Sequence, residues 1–275
     1  MSRLIVSGCS YTFHLPPTWP MFLAKKFDET YTFAFPGAGN EYIFNSIIDA
    51  DSNLKFNEND TIIIEWSGPY RLDHFSEDEA GVRWITKGDL AHRPIDEFTM
   101  LNSYFPERGL LKKTVNYMLA VYRYLKEKKV NFIFTSLYNL KNSEYDDLLE
   151  EMYQDCFVMP QGMHQYFMKN FVETNLNKKG WGHPDFLVHY AFAQEFANKL
   201  NIDLDPEPKL QHFLDLVGTE ENYSSNIKDI GTHPLYRYAI TGSQTANPEP
   251  HPYKNKLSHQ SWPLYQKILQ DVLSR

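Results

Sequence analysis

The chain has 275 residues, and its 27 Lys and Arg against 35 Asp and Glu leave a formal charge of -8. A chain this long can bury roughly three-quarters of its potential surface, and its mild acidic excess argues against a general nucleic-acid surface. No apolar run reaches membrane-spanning length, and two cysteines, Cys9 and Cys156, are too few for a disulfide scaffold or a thiolate metal cluster.

The first residues lead straight into "RLIVSG", 3–8, which reads as a short buried strand. No charged leader precedes it, so a cytoplasmic, reducing setting is expected. Pro16 and Pro17 keep the next loop irregular. "TWPMFLAKKF", 18–27, then reads as a helix, with Thr18 as cap and Pro20 in the first turn. "YTFAF", 31–35, is a second strand, "PGAGN", 36–40, its turn, and 41–50 a helix. "DTIIIEWS", 60–67, has the unbroken apolar centre of a parallel strand covered on both faces.

Residues 69–108 are rich in charge, Pro and Gly and read as an irregular insertion or lid. "LLKKTVNYMLAVYRYLKEKKV", 110–130, is a helix whose Leu111, Val115, Met118, Leu119, Tyr122 and Leu125 recur near a period of 3.6. "NFIFTSL", 131–137, is the next strand. A helix follows at 143–154, where Ser143 and Asp146 suggest a capping box. "CFVMP", 156–160, is a short fifth strand, and 185–200 a further helix.

This alternation of strand and helix over residues 1–200 predicts an α/β domain with a parallel sheet covered on both faces. Residues 201–275 change character. They are polar and turn-rich, end in a helix at 261–273, and read as a C-terminal extension packed on the main domain. Open parallel sheets bind ligands beyond the carboxyl ends of their strands. Ser10, Gly39, Asn40, Ser67 and His183 each follow a predicted strand, so the topology brings them toward one edge.

The same stretches carry a resemblance. "GCSYT", 8–12, resembles the first block of the SGNH, or GDSL-like, hydrolases, and "PGAGN", 36–40, the second. "IIEWSG", 63–68, falls where the third belongs, and "GHPDFLVHYAFAQEFANKL", 182–200, resembles the last. The set is similar to the divergent subset whose first block reads Gly-Cys-Ser. The resemblance implies a flavodoxin-like three-layer α/β/α sandwich with a parallel five-stranded sheet, and serine esterase chemistry on a small acyl ester, such as an O-acetyl group on a carbohydrate.

It also implies roles. Ser10 matches the nucleophile and contributes a backbone N–H to the oxyanion. Gly39 matches the second backbone donor. Ser67 stands where the family places a side-chain amide, and Asn40 is an adjacent alternative. His183 matches the base, which a serine hydroxyl needs within hydrogen-bond reach. The family places Asp three residues before that histidine, and here Gly180 stands there. Asp185 is the nearby carboxylate, either orienting the ring or capping the helix. "EPHPYKNKLSHQSWPLYQKIL", 249–269, is a second match to the last block, with His251 as base and Glu249 as its carboxylate.

Each residue also has a plainer account. Alone, Ser10 is a turn serine capping the next segment. In company with Gly39, Ser67 and a His-Pro segment, it reads as a nucleophile. Cys9 is a small buried side chain. Glu65, Trp66 and Arg71 either pack at a strand end and form a surface ion pair, or support the site and wall the substrate, with Arg71 holding an anionic group. No three or four of the ten histidines form a convincing zinc set, so no metal or cofactor is expected. The departures at Gly180 and Ser67 also motivate a rival reading: a weak or inactive SGNH-like structural or carbohydrate-binding module, joining a larger protein assembly through its C-terminal extension. A small-molecule or carbohydrate ester is the expected ligand, with no nucleic acid and no membrane partner.

Overall fold

The computed structural model describes residues 1–13, 18–78, 81–89, 106–140, 144–171, 183–184, 186–204 and 256–257. The chain falls into two compact units. One comprises Leu4–Phe13 and Phe33–Tyr166; the other comprises Met1–Arg3, His14–Thr32 and Phe167–Arg275. The fold class is α/β with a parallel sheet, as expected.

The first unit is built around β3 (Asp60–Trp66), every residue of which is buried. On one side it pairs in parallel with β6 (Asn131–Ser136), from Thr61 opposite Asn131 to Trp66 opposite Ser136. On the other side lies β1 (Arg3–Ser7). Ile62, Ile63 and Ile64 have no exposed surface, nor do Leu4, Ile5 and Val6. A β-branched run buried on both faces is what a parallel strand requires. Along β1, Phe33 N–H donates to Val6 O at 2.7 Å and Phe35 N–H to Gly8 O at 3.1 Å.

The expected strand at 156–160 is reduced to a single parallel bridge, Phe157 opposite Phe134. Cys156 is still the C-cap of the preceding helix, and Pro160 has no N–H to continue a ladder.

Two helices of this unit pack on each other. α2 (Asn40–Leu54) buries Tyr42, Ile43, Ile47 and Ala50, and α3 (Glu107–Lys128) buries Leu110, Thr114, Val115, Met118, Val121, Tyr122 and Leu125. Phe44 and Tyr117 stack between them at 4.9 Å. Leu111 and Leu119, expected on the apolar stripe, are only half-buried. Both helices end on a left-handed residue, Lys55 and Lys129, the usual way to close a last turn. α4 (Asp146–Asp155) starts later than expected, and its N-cap Tyr145 makes no side-chain cap; Ser143 lies outside the described residues.

The segment read as an irregular insertion contains an antiparallel hairpin, β4 (Arg71–Asp78) with β5 (Gly81–Asp89). α5 (Met163–Asn170) was not expected from the sequence.

In the second unit, α1 (Trp19–Leu23) is a short helix followed by a 3-10 turn at Ala24–Lys26. Thr18 occupies its N-cap without a side-chain cap bond, and Pro sits in the first turn. α1 packs on α6 (Phe186–Leu200) through Trp19 against Phe196 at 4.4 Å and Phe22 against Tyr190 at 5.4 Å. β2 (Glu29–Thr32) pairs antiparallel with β7 (Lys256–Leu257). The predicted helix at 261–273 lies outside the described residues. Among the described residues, no helix is long and apolar enough to cross a membrane.

Candidate active site

The loops after β1 and β3 meet at one edge of the first unit. Cys9 O accepts from Thr12 N–H and Phe13 N–H, both at 3.0 Å, which closes a tight turn. Ser10 is the second residue of that turn and is only 5% exposed.

Glu65, one residue before the end of β3, anchors the turn from below. Its Oε2 accepts from Thr12 Oγ1 at 2.5 Å and from Cys9 N–H at 3.3 Å, and its Oε1 accepts from Cys9 Sγ at 3.1 Å. Glu65 has no exposed surface. Burial pushes its pKa above the usual carboxylate range, against the lowering pull of the Thr12 and Cys9 bonds and of Arg71. Burial, then the Glu65 charge, push the Cys9 thiol up to about 11. Cys9 is therefore a neutral, buried side chain at pH 7.

The second and third blocks are tied together by Asn40, the first residue of α2. Its Oδ1 accepts Ser67 N–H at 2.8 Å, and its Nδ2 donates to Ser67 O and to Thr114 Oγ1, each at 3.0 Å. The Asn40 amide is thus spent on fixing Ser67. Ser67 Oγ is buried and has no hydrogen-bond partner among the described residues.

Gly39 N–H is engaged by a side chain that the sequence did not point to. It donates to Asp73 Oδ1 at 2.8 Å, and Tyr42 N–H donates to Asp73 Oδ2 at 2.9 Å. The N-terminus of α2 thereby receives a carboxylate from β4 in place of a local cap. This is a favourable position for negative charge.

Even so, burial, and next the charge of Glu41, raise the Asp73 pKa to about 6, although the two amides and Arg71 pull the other way. A carboxyl raised from 3.8 to about 6 contributes stability that is complete below the lower value and is lost as pH rises through the upper one. The difference corresponds to about 3 kcal/mol. A carboxyl-carbon NMR titration is expected to place the Asp73 midpoint near 6; a midpoint near 4 would contradict this environment.

Arg71 is half-buried and donates from Nη1 to Ala38 O at 3.3 Å. Burial opposes its charge, but Cys9 and Glu65 outweigh that and hold its pKa up. Trp66 is fully buried, edge-on to Phe134 at 5.5 Å. His164 lies in the same unit. Its Nδ1 is 3.1 Å from Tyr11 Oη, its N–H donates to Leu137 O, and burial lowers its pKa.

His183 is half-buried and, with Pro184, precedes α6 in the other unit. His189 on α6 is 1% exposed, edge-on to Phe192. Asp185, Glu249 and His251 lie outside the described residues. Among the described residues, no group of three His, Cys, Asp or Glu side chains gathers as a metal site.

The structure therefore brings Ser10, Gly39, Asn40 and Ser67 to one sheet edge. Sequence reasoning missed Asp73 and His164. Glu65 did carry a signal, a single acid at the end of an otherwise apolar strand.

No protein-family model and no curated protein matches the chain. Solved structures similar to it include a GDSL-like lipase from Bacteroides thetaiotaomicron, 13% identical, with 73% of this chain and 88% of that one covered and a TM-score of 0.43. Another is a catalytic mutant of an acetylxylan esterase from Geobacillus stearothermophilus, 12% identical, with 75% and 97% covered and a TM-score of 0.47.

Proposed function

We propose that the chain is a serine esterase acting on a small acyl ester, with O-acetylated carbohydrate as the first substrate class to test. The observation that carries this reading is the convergence of three loops. Glu65 binds the turn that holds Ser10, and Asn40 binds Ser67 beside Gly39.

In the proposed reaction, Ser10 Oγ attacks the ester carbonyl carbon. A histidine takes the hydroxyl proton, a role for which the sequence resemblance offers His183 or His251. The carbonyl oxygen becomes an oxyanion, held by the backbone N–H groups of Ser10 and Gly39 and by the Ser67 hydroxyl. A single well-placed donor of this kind is worth about 3 kcal/mol. The histidine then protonates the leaving alcohol, and water, activated by the same imidazole, releases the acyl group and restores Ser10. The same resemblance offers Asp185 as the carboxylate for His183, or Glu249 for His251. Arg71 belongs to the substrate side of the site, whereas Trp66, expected there from the sequence, has no exposed surface and packs in the core against Phe134. No metal or cofactor enters the scheme.

A second reading has its own support. With Gly39 N–H bonded to Asp73 and the Asn40 amide spent on Ser67, the edge fits a non-catalytic carbohydrate-binding or structural module in a larger assembly.

A panel of aryl acetates and acetylated sugars separates the two, using the wild type, H183A and H251A. The esterase reading expects one histidine variant to lose at least about 100-fold in rate, as general-base catalysis requires. Wild-type turnover no faster than buffer, with acetylated or free oligosaccharide still bound, would favour the module.

A further inference from the structure

In the resting chain, the nucleophile and one oxyanion donor are both closed. Ser10 is 5% exposed. Gly39 N–H is held by a carboxylate from a residue 34 positions away, on the hairpin that follows Ser67. That hairpin breaks its register between Arg71 and Asp73, an irregularity of the kind that re-aims a side chain.

We propose that Asp73 is an autoinhibitory latch, occupying with its own carboxylate the amide donor that the reaction's oxyanion requires, so that substrate must displace it. This rests on the esterase reading. An ordinary helix cap is a local Ser, Thr, Asp or Asn at the N-cap itself. Here the N-cap is Gly39, and a Cβ at that position would lie 2.7 Å from Asp73 Oδ2 and 3.0 Å from Arg71 O. Glycine thus leaves the space that lets an outside anion reach the amide.

The contact is also suited to exchange. Asp73 is buried close to the negative Glu41, with its own pKa raised. An oxyanion arriving at Gly39 brings the same charge to the same donor. The exchange leaves that amide bonded and lets Asp73 return to water.

The test compares Ser10-dependent hydrolysis of p-nitrophenyl acetate in the wild type, D73A and D73N, with the rate of S10A subtracted. Hydrogen exchange at the Gly39 and Tyr42 amides is read alongside. The latch expects D73A to be at least about 10-fold faster than the wild type, because one oxyanion donor is freed. D73N should fall between them, and both amides should exchange faster in D73A. If D73A does not fold, D73N carries the test, and a rate above wild type is expected.

Folded variants no faster than a wild type that itself exceeds S10A would overturn the latch and leave the esterase standing. No Ser10-dependent rate in any of the proteins would overturn both.

Discussion

Replacing Ser10 by alanine is expected to lower ester hydrolysis by on the order of 1,000-fold or more, while the melting temperature stays close to wild type. The size of the loss follows from the chemistry. A serine enzyme without its nucleophile retains only what binding and oxyanion stabilisation supply. Stability should change little, because the turn is held by other groups. The backbone of Cys9 closes it, and Glu65 grips it through Cys9 and Thr12. Steady-state rates and a thermal melt on the same samples check both halves. An S10A rate equal to wild type would remove Ser10 from the reaction.

Gly8→Ala tests the scaffold beneath Ser10. A Cβ at position 8 would lie 2.3 Å from Thr12 Oγ1 and 2.8 Å from both Cβ and Oε2 of Glu65. Thr12 Oγ1 and Glu65 Oε2 are the two atoms of the Glu65–Thr12 bond, so the methyl cannot enter without disturbing it. Overpacking costs about 1–3 kcal/mol. Loss of the bond and a poorly satisfied buried carboxyl add a comparable amount. A destabilisation of about 3–5 kcal/mol is therefore expected in urea unfolding, with ester hydrolysis falling as the turn shifts. A cost under about 1 kcal/mol would mean that the turn is not packed against Glu65 as described.

How much of this was legible in the sequence depends on distance along the chain. β3 was readable because burial on both faces demands an unbroken apolar run, and "DTIIIEWS" supplies one. The positions of Ser10, Gly39, Asn40 and Ser67 followed from strand ends alone, since a parallel sheet gathers the loops at its carboxyl edge. The role of Asn40 did not follow. It was an alternative oxyanion donor in the sequence, and its amide is instead committed to Ser67 and Thr114.

Asp73 was illegible for a different reason. It lies in a charged segment that reads as irregular, and its partners Gly39 and Tyr42 are 34 and 31 residues away. No local pattern encodes that pairing. α5 was missed because it is short and follows Pro160 and Gly162, residues that signal a turn more strongly than a helix start. At α1, Thr18 stands at the N-cap as expected but makes no side-chain cap bond, and at α4 the N-cap is Tyr145, two residues beyond the expected hydroxyl.

The most direct test of the central claim is covalent. A fluorophosphonate reacts with an activated serine, forming an oxygen–phosphorus bond as fluoride leaves and the base takes the hydroxyl proton. After incubation at neutral pH, peptide mass spectrometry is expected to show one phosphonyl adduct, on Ser10, absent from S10A. An unmodified Ser10 after prolonged exposure, or the same adduct yield in S10A, would contradict the account.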